Sequence, residues 1–220
     1  MRRAQHLRTI MLKLQIIIGS TRDGRNADRV TQWFAPHARA HGGFEVELLD
    51  LRDWPLPFFQ ETLATVGDLA DPTYSDPLVR RWNQTIKAAD AYIIVTPEYN
   101  RSLPAVLKNA IDTVFFSFAF RHKPVAMVGY SLGVTAAARA VEHLAQIMVE
   151  TEAAPVRTPT LIPFVANAFD AEGQPLNPAL DIGLKVMLDD LAWLGEALKA
   201  ARAKGEQPPA GLRIRAAAGR

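Results

Sequence analysis

Residues 12–26 constrain the fold most, because an apolar run ends there at a glycine and opens into a polar loop. Residues 14–18 are β-branched and mostly apolar, which is typical of a strand buried on both faces of a parallel sheet. Donors at a strand-to-helix turn suit a phosphate, because free backbone N–H groups and the positive end of the helix point there. We therefore expect a phosphorylated ligand at this loop. After Gly19 its polar side chains are Ser20, Thr21, Arg22, Arg25 and Asn26.

The same loop nearly matches the phosphate loop of nucleotide triphosphatases. Residues 19–26 read G-x-x-x-x-G-R-N, whereas that motif reads G-x-x-x-x-G-K-[ST]. Arg25 replaces the lysine, and Asn26 replaces the hydroxyl residue that would hold Mg²⁺. This difference favours a simpler monophosphate site over a triphosphatase.

Composition excludes several classes of function. The chain of 220 residues has no cysteine, which rules out disulfides, thiolate metal sites and thiol nucleophiles. No apolar segment approaches the roughly 18 residues of a membrane helix. The net charge of +2 comes from basic residues near both ends, which gives little support to nucleic-acid binding. We expect a cytoplasmic protein without a metal, a nucleic-acid partner or a membrane contact.

The order of apolar patterns predicts one α/β domain. Apolar runs predict strands near 14–18, 44–50, 91–96, 125–129 and 159–165, and helical spacing lies between and after them. Strands that alternate with helices indicate a parallel sheet covered on both faces. Residues 12–204 form the predicted domain, preceded by a flexible extension at 1–11, in which Met11 is an alternative start. Residues 205–220 are polar and are expected to be a disordered tail.

Three loops that follow predicted strands are expected to meet at one site. They are residues 19–26, 97–100 and 130–134. Ligands of parallel α/β sheets bind beyond the carboxyl ends of the strands. After the second loop, Ser102 is expected to cap the next helix, with Pro104 in its first turn.

A hydrolase is a competing interpretation of the third loop. Residues 129–133 read G-Y-S-L-G, which matches the G-x-S-x-G nucleophile turn of α/β-hydrolases. Such an enzyme needs a histidine later in the chain, and only His143 follows Ser131. His143 lies on the helix that begins at the turn, roughly 18 Å along it at about 1.5 Å per residue. We therefore expect Ser131 to offer its hydroxyl and backbone to a ligand rather than to act as a nucleophile.

Two motifs together carry a family resemblance. G-S-T-R-D-G-R-N at 19–26, and P-E-Y-N at 97–100 followed by L-P-A-V-L-K-N-A-I-D at 103–112, resemble the NADPH-dependent FMN reductase family of flavodoxin-like proteins over about residues 12–200. The resemblance implies a flavodoxin-like three-layer sandwich with a five-stranded parallel sheet. It also implies bound FMN that passes hydride or electrons from NADPH or NADH to a small acceptor such as a quinone, azo compound or flavin. No catalytic acid–base residue is then required. The alternative is a non-catalytic electron carrier or redox-responsive flavin-binding protein.

The resemblance also implies which residues contact FMN. The phosphate would lie on the first loop, the isoalloxazine against the second, and its pyrimidine side against the third, where Leu132 stands at a position that is usually glycine-rich in relatives. Family members are commonly homodimers or homotetramers, and the apolar run at 114–120 suggests a subunit interface. The implied FMN contacts are Ser20, Arg22, Arg25 and Asn26, then Pro97, Glu98, Tyr99 and Asn100, and finally Tyr130, Ser131 and Gly133.

Overall fold

The protein folds around a parallel sheet with an order typical of flavodoxin-like proteins. The computed structural model describes residues 11–68 and 72–219. The strands run in the spatial order β2-β1-β3-β4, and two short strands, β5 and β6, both pair with the outer edge of β4. All pairs are parallel. The strands are β1 (Leu12–Ile18), β2 (Phe44–Asp50), β3 (Ala91–Pro97), β4 (Pro124–Tyr130), β5 (Ala154–Pro155) and β6 (Thr160–Ile162).

Helices cover both faces of this sheet, which confirms the predicted three-layer α/β sandwich. One apolar cluster joins α1 and α5 to one face, and a second joins α2, α3 and α4 to the other. The strands β3 and β4 are buried along their whole length, as expected when both faces are covered. The described helices are α1 (Ala27–Ala40), α2 (Pro77–Lys87), α3 (Ala105–Asp112), α4 (Ala138–Glu150), α5 (Ala179–Arg202) and α6 (Ala210–Ala217).

The register of the sheet places the first loop. Ile18 at the end of β1 pairs with Asp50 on one side and Val95 on the other. Gly19 follows at once, and its amide donates to the Val95 carbonyl at 2.8 Å. A Cβ on Gly19 would stand 2.8 Å from that carbonyl oxygen, so glycine is required here by a close approach. The chain departs from β1 toward β2 on one side and returns to β3 on the other, which creates the crevice where flavodoxin-like folds bind their ligands.

Three predicted elements differ from the structure. The fifth strand, predicted at 159–165, is shortened to β6 at 160–162, because Pro159 and Pro163 on either side cannot donate to a ladder, and β5 lies outside the predicted range. Ser102 does not cap α3, whose first residue is Ala105 with Pro104 at the N-cap position. The tail that we expected to be disordered contains α6, and residues 1–10 of the predicted extension lie outside the described residues.

The apolar run at 114–120 is largely covered by the chain itself. Val114, Ala119 and Phe120 are buried, and Phe120 packs edge-to-face against Tyr92 at a centroid distance of 4.8 Å. Phe115, Phe116 and Phe118 are half-buried and line a depression beside α6. Three of the seven residues of the run therefore belong to the core. In the described residues, no helix is both long enough and apolar enough to cross a bilayer.

Candidate functional site

The three loops singled out in the sequence meet around one cavity. It has a volume of about 510 Å³ and lies beyond the carboxyl ends of β1, β3 and β4. Most of the predicted site residues line it, and Ser20 and Asn100 do not. The lining residues are Arg22, Asp23, Gly24, Arg25 and Asn26 of the first loop, Pro97, Glu98 and Tyr99 of the second, Tyr130, Ser131, Leu132, Gly133, Thr135 and Arg139 of the third loop and α4, and Val165.

The first loop presents a series of free backbone donors. The amide groups of residues 20–24 donate no hydrogen bond to any described residue. Ser20 is fully buried, and its hydroxyl lies 2.9 Å from the Tyr99 hydroxyl, which ties the first loop to the second. The guanidinium of Arg22 lies over the Tyr99 ring, 5.4 Å from its centroid. This arrangement of amides with one exposed arginine suits a phosphate group.

Arg25 does not have the free guanidinium that the sequence suggested. Its side chain is only 2% exposed and forms ion pairs with Asp28 and Asp50. Nη2 lies 2.6 Å from Asp28 Oδ1, Nη1 lies 2.7 Å from Asp50 Oδ1, and Nη1 also donates to the Ser20 carbonyl. Burial raises the pKa of Asp50, but the hydrogen bonds and positive charges of Arg25 and Arg52 together outweigh it and lower that pKa below its ordinary value. Two carboxylates neutralise Arg25, so its role is to fix the loop rather than to bind an anion with its side chain.

Asn100 does not line the cavity, in contrast to the prediction. Tyr99 and Ser102 exchange two backbone hydrogen bonds of 2.8 and 3.0 Å, which closes a two-residue turn. Asn100 and Arg101 occupy this turn with φ angles of 49° and 70°, the pattern of a type I′ turn. Asn100 is exposed and shapes the backbone after β3 instead.

The third loop offers backbone amides and one buried phenol. The amides of residues 132–134 donate to no described residue. The hydroxyl of Ser131 donates to the Gly133 carbonyl at 2.9 Å, and its amide donates to Ile162, so the predicted Ser131 donors are already used. Tyr130 is buried, and its hydroxyl has no hydrogen-bond partner in the described part of the chain. Burial raises the pKa of Tyr130, which therefore remains a neutral phenol.

The hydrolase interpretation finds no support in this geometry. His143 Nδ1 lies 3.0 Å from Ser102 Oγ and lines a different surface depression from the one that Ser131 lines. Ser131 instead closes its own loop. Among the described residues, no group of three or more metal-binding side chains occurs either.

An ion pair in the cavity wall was missed by the sequence reasoning. Arg139, in the first turn of α4, donates from Nε to Glu98 Oε1 at 2.8 Å, and its Nη2 contacts the same oxygen. The Glu98 side chain is 6% exposed, and its second oxygen, Oε2, is buried without a partner among the described residues. The available signal was the position of Arg139 at the start of the helix after the third loop, which places it at the same edge of the sheet.

The fold and the cavity together define a class of protein. A parallel sheet in the order 2-1-3-4-5, with a phosphate-type loop after its first strand, is the arrangement of flavodoxin-like proteins. Within that class, the sequence model of the NADPH-dependent FMN reductase family matches residues 12–166. The chain belongs to this family. It is an FMN-dependent oxidoreductase that uses NAD(P)H.

Comparisons with individual proteins agree with this assignment. An NAD(P)H-dependent FMN reductase from Pseudomonas aeruginosa is 38% identical over 138 residues, which cover 61% of this chain and 70% of the relative. A 2-hydroxy-1,4-benzoquinone reductase from a Burkholderia species is 29% identical over 83% of this chain and 96% of its own. Among solved structures, the flavoenzyme NAD(P)H:(acceptor) oxidoreductase FerB from Paracoccus denitrificans superposes with a TM-score of 0.68 at 26% identity, covering 85% of this chain and 98% of that one.

The residues present in the cavity fit FMN. The free amides at 20–24 match the needs of a phosphate, and those at 132–134 match the needs of a polar ring edge. Two buried polar atoms in the cavity wall, Glu98 Oε2 and the Tyr130 hydroxyl, lack a partner in the described chain. Buried polar groups nearly always have hydrogen-bond partners, so these two atoms indicate a polar ligand.

Proposed function

We propose that FMN occupies the cavity with its phosphate on residues 20–24, and that the enzyme reduces a small-molecule acceptor at the same site. The observation that carries the proposal is the row of unpaired backbone amides directly after β1. These amides lie beside Arg22, whereas the charge of Arg25 is cancelled by its carboxylate partners. A phosphate is the ligand group that satisfies both features.

The remaining lining residues have separate roles in this proposal. Asn26 adds a side-chain amide to the phosphate end, and the backbone of Pro97, Glu98 and Tyr99 forms one wall for the flavin ring. The Tyr130 hydroxyl and the amides of 132–134 supply donors at another edge. FMN, when bound, would supply the hydride- and electron-transfer chemistry between NAD(P)H and the acceptor. The protein thus has to bind, orient and tune the cofactor.

The names of two relatives support a class of acceptor. One relative is named a 2-hydroxy-1,4-benzoquinone reductase, and another, from Staphylococcus saprophyticus, is named an FMN-dependent NADPH-azoreductase. We propose a quinone, an azo compound or a free flavin as the acceptor of this enzyme. NADPH and NADH both remain candidates as reductant. A cytoplasmic location is part of the proposal, because NAD(P)H is available there.

A homodimer or homotetramer is also proposed. Phe58 and Leu63, in the loop between β2 and α2, are 78% and 54% exposed, and the side chain of Ile214 on α6 is 68% exposed. Large exposed apolar side chains of this kind are common at protein interfaces. Light scattering on a sizing column should give a mass above that of one chain. A variant with Phe58→Ser and Leu63→Ser should shift it toward the monomer.

Steady-state oxidation of NADPH and NADH with a quinone tests the activity. The enzyme should turn over with the quinone and should lose FMN affinity about tenfold in Arg22→Gln, since a charge-assisted hydrogen bond to phosphate is removed. Arg101→Gln, an exposed arginine outside the cavity, is the matched control and should leave FMN affinity unchanged. Retained FMN without turnover would indicate the electron-carrier alternative. Ester cleavage that disappears in Ser131→Ala would indicate the hydrolase.

A further inference from the structure

One guanidinium in the cavity wall is only partly used by the protein. Arg139 directs Nε and Nη2 at a single oxygen of Glu98, and Nη2 also lies 3.4 Å from Thr135 Oγ1. The third nitrogen, Nη1, forms no hydrogen bond with any residue that the structure describes. The Arg139 side chain is 34% exposed and lines the cavity. Arg139 therefore presents an unpaired donor group in the cavity wall.

Glu98 holds this guanidinium in a fixed orientation. Its carboxylate is 6% exposed, so the ion pair is anchored on the protein side rather than in solvent. The hydrogen bond with Glu98 raises the pKa of Arg139, which remains fully charged. An arginine held along one edge offers its other edge to a planar anion. Because the orientation is set in advance, less side-chain entropy is lost when a ligand binds.

The other two arginines of the cavity are already accounted for. Arg25 is neutralised by Asp28 and Asp50. Arg22 belongs to the first loop and stacks on Tyr99, at the end that we assign to the FMN phosphate. Arg139 belongs to α4, on the side of the third loop. Its charge has no assigned role in binding the cofactor.

We propose that Arg139 anchors a carboxylate, sulfonate or phosphate group of a substrate that enters this cavity, and that Glu98 is its positioning residue. The proposal rests on the proposed function, since the substrates in question are the electron acceptor and the reducing dinucleotide. Both can carry such an anion. An acceptor with an acidic group would then bind more tightly than its neutral analogue of the same size.

The test compares neutral and anionic ligands on FMN-loaded wild type, Arg139→Gln and Arg139→Lys. The redox-inert ligand naphthalene-2-sulfonate is titrated into the oxidised enzyme, and its binding is followed by the change in the flavin absorption band. Uncharged naphthalene-2-methanol is the neutral control ligand. In parallel, KM is measured for 1,4-naphthoquinone-2-sulfonate and for 1,4-naphthoquinone at saturating reductant. KM for NADPH and for NADH is measured at saturating neutral quinone.

We expect the Arg139→Gln variant to lose affinity selectively for one anionic ligand. Arg139→Gln should weaken binding of the sulfonate, and raise its KM, by about tenfold or more, as expected for loss of a hydrogen bond to a charged group. The dissociation constant and KM of the neutral ligands should change less than twofold, and kcat should be unchanged. Arg139→Lys should recover part of the lost affinity for the sulfonate. If KM rises for NADPH but not for NADH or the sulfonate, the proposal holds, and the 2′-phosphate of NADPH is the anion that Arg139 binds.

Equal losses for neutral and anionic ligands would overturn the proposal and would make Arg139 a structural partner of Glu98 only. Arg101→Gln, at an exposed arginine outside the cavity, serves as the matched control. It should keep the wild-type preference for the sulfonate. Equal losses in Arg139→Gln can be told apart from failure of the proposed function, because in that case the wild-type protein itself would retain no FMN.

Discussion

The turn at Asn100 and Arg101 gives a prediction with an unusual sign. A left-handed backbone is unfavourable by about 1–2 kcal/mol for a residue with a Cβ, and asparagine tolerates it better than arginine does. Arg101 has a φ of 70°, is exposed, and forms no hydrogen bond with the residues described. Arg101→Gly therefore removes backbone strain without removing packing. Glycine's greater freedom in the unfolded chain offsets roughly 0.5–1 kcal/mol of this gain.

The net expectation is a stabilisation of about 0.5–1 kcal/mol, which for a domain of this size raises Tm by about 1–4 °C. Urea unfolding followed by circular dichroism measures the free energy of unfolding. Ala197→Gly, at an exposed position within α5, is the matched control and should instead destabilise by about 1 kcal/mol. Because Asn100 and Arg101 lie outside the cavity, Asn100→Gly and Arg101→Gly should both keep FMN affinity within twofold. Destabilisation by Arg101→Gly, or loss of FMN from Asn100→Gly, would refute this account of the turn.

Three further predictions concern buried groups. Arg25→Met leaves the Asp50 carboxylate without its partner and should lower the free energy of unfolding by about 3 kcal/mol, measured in urea; an unchanged midpoint would contradict the ion-pair assignment. Burial lowers the pKa of Lys123 from 10.5 to about 7. Between these values the unfolded chain binds the extra proton, so stability should rise with pH above about 7 by up to about 1.4 kcal/mol per pH unit. Lys123→Met should abolish that rise, and an identical pH profile in both proteins would refute it. Gly19→Ala places a Cβ 2.8 Å from the Val95 carbonyl and should destabilise by about 1–3 kcal/mol in urea. Gly183→Ala in α5, where nothing lies within 4 Å of a Cβ, is the control and should not destabilise.

Much of the fold was predictable because strands buried on both faces have a strong signal. The apolar runs at 14–18, 91–96 and 125–129 coincide with β1, β3 and β4. The last strand was harder to predict, because Pro159 and Pro163 limit the apolar run that forms it to three paired residues. The C-terminal α6 was missed because it is short and lies in a stretch with Gly and Pro, and because the Ala210 amide is held by the Glu152 carboxylate from a distant segment. Such a contact leaves no local pattern.

The site was predicted at the level of loops but not of all side chains. The three loops converge because each follows a parallel strand, which is a property of the topology. Arg25 is neutralised partly by Asp50, which is far away in the sequence and is brought close by the register of β1 and β2. The Arg139 side chain is likewise oriented by Glu98, which is distant in the sequence. Ion pairs between loops decide which arginines remain free, and a sequence alone does not reveal such pairs.

The most direct test of the central claim is a visible absorption spectrum of the purified protein. FMN is added, the excess is removed, and NADPH is then supplied without oxygen. We expect FMN to be retained and its absorption to bleach when NADPH is added. Protein that retains no FMN would contradict the assignment of the free amides at 20–24 to a phosphate. Retained FMN that stays oxidised with both NADPH and NADH would contradict the reductase.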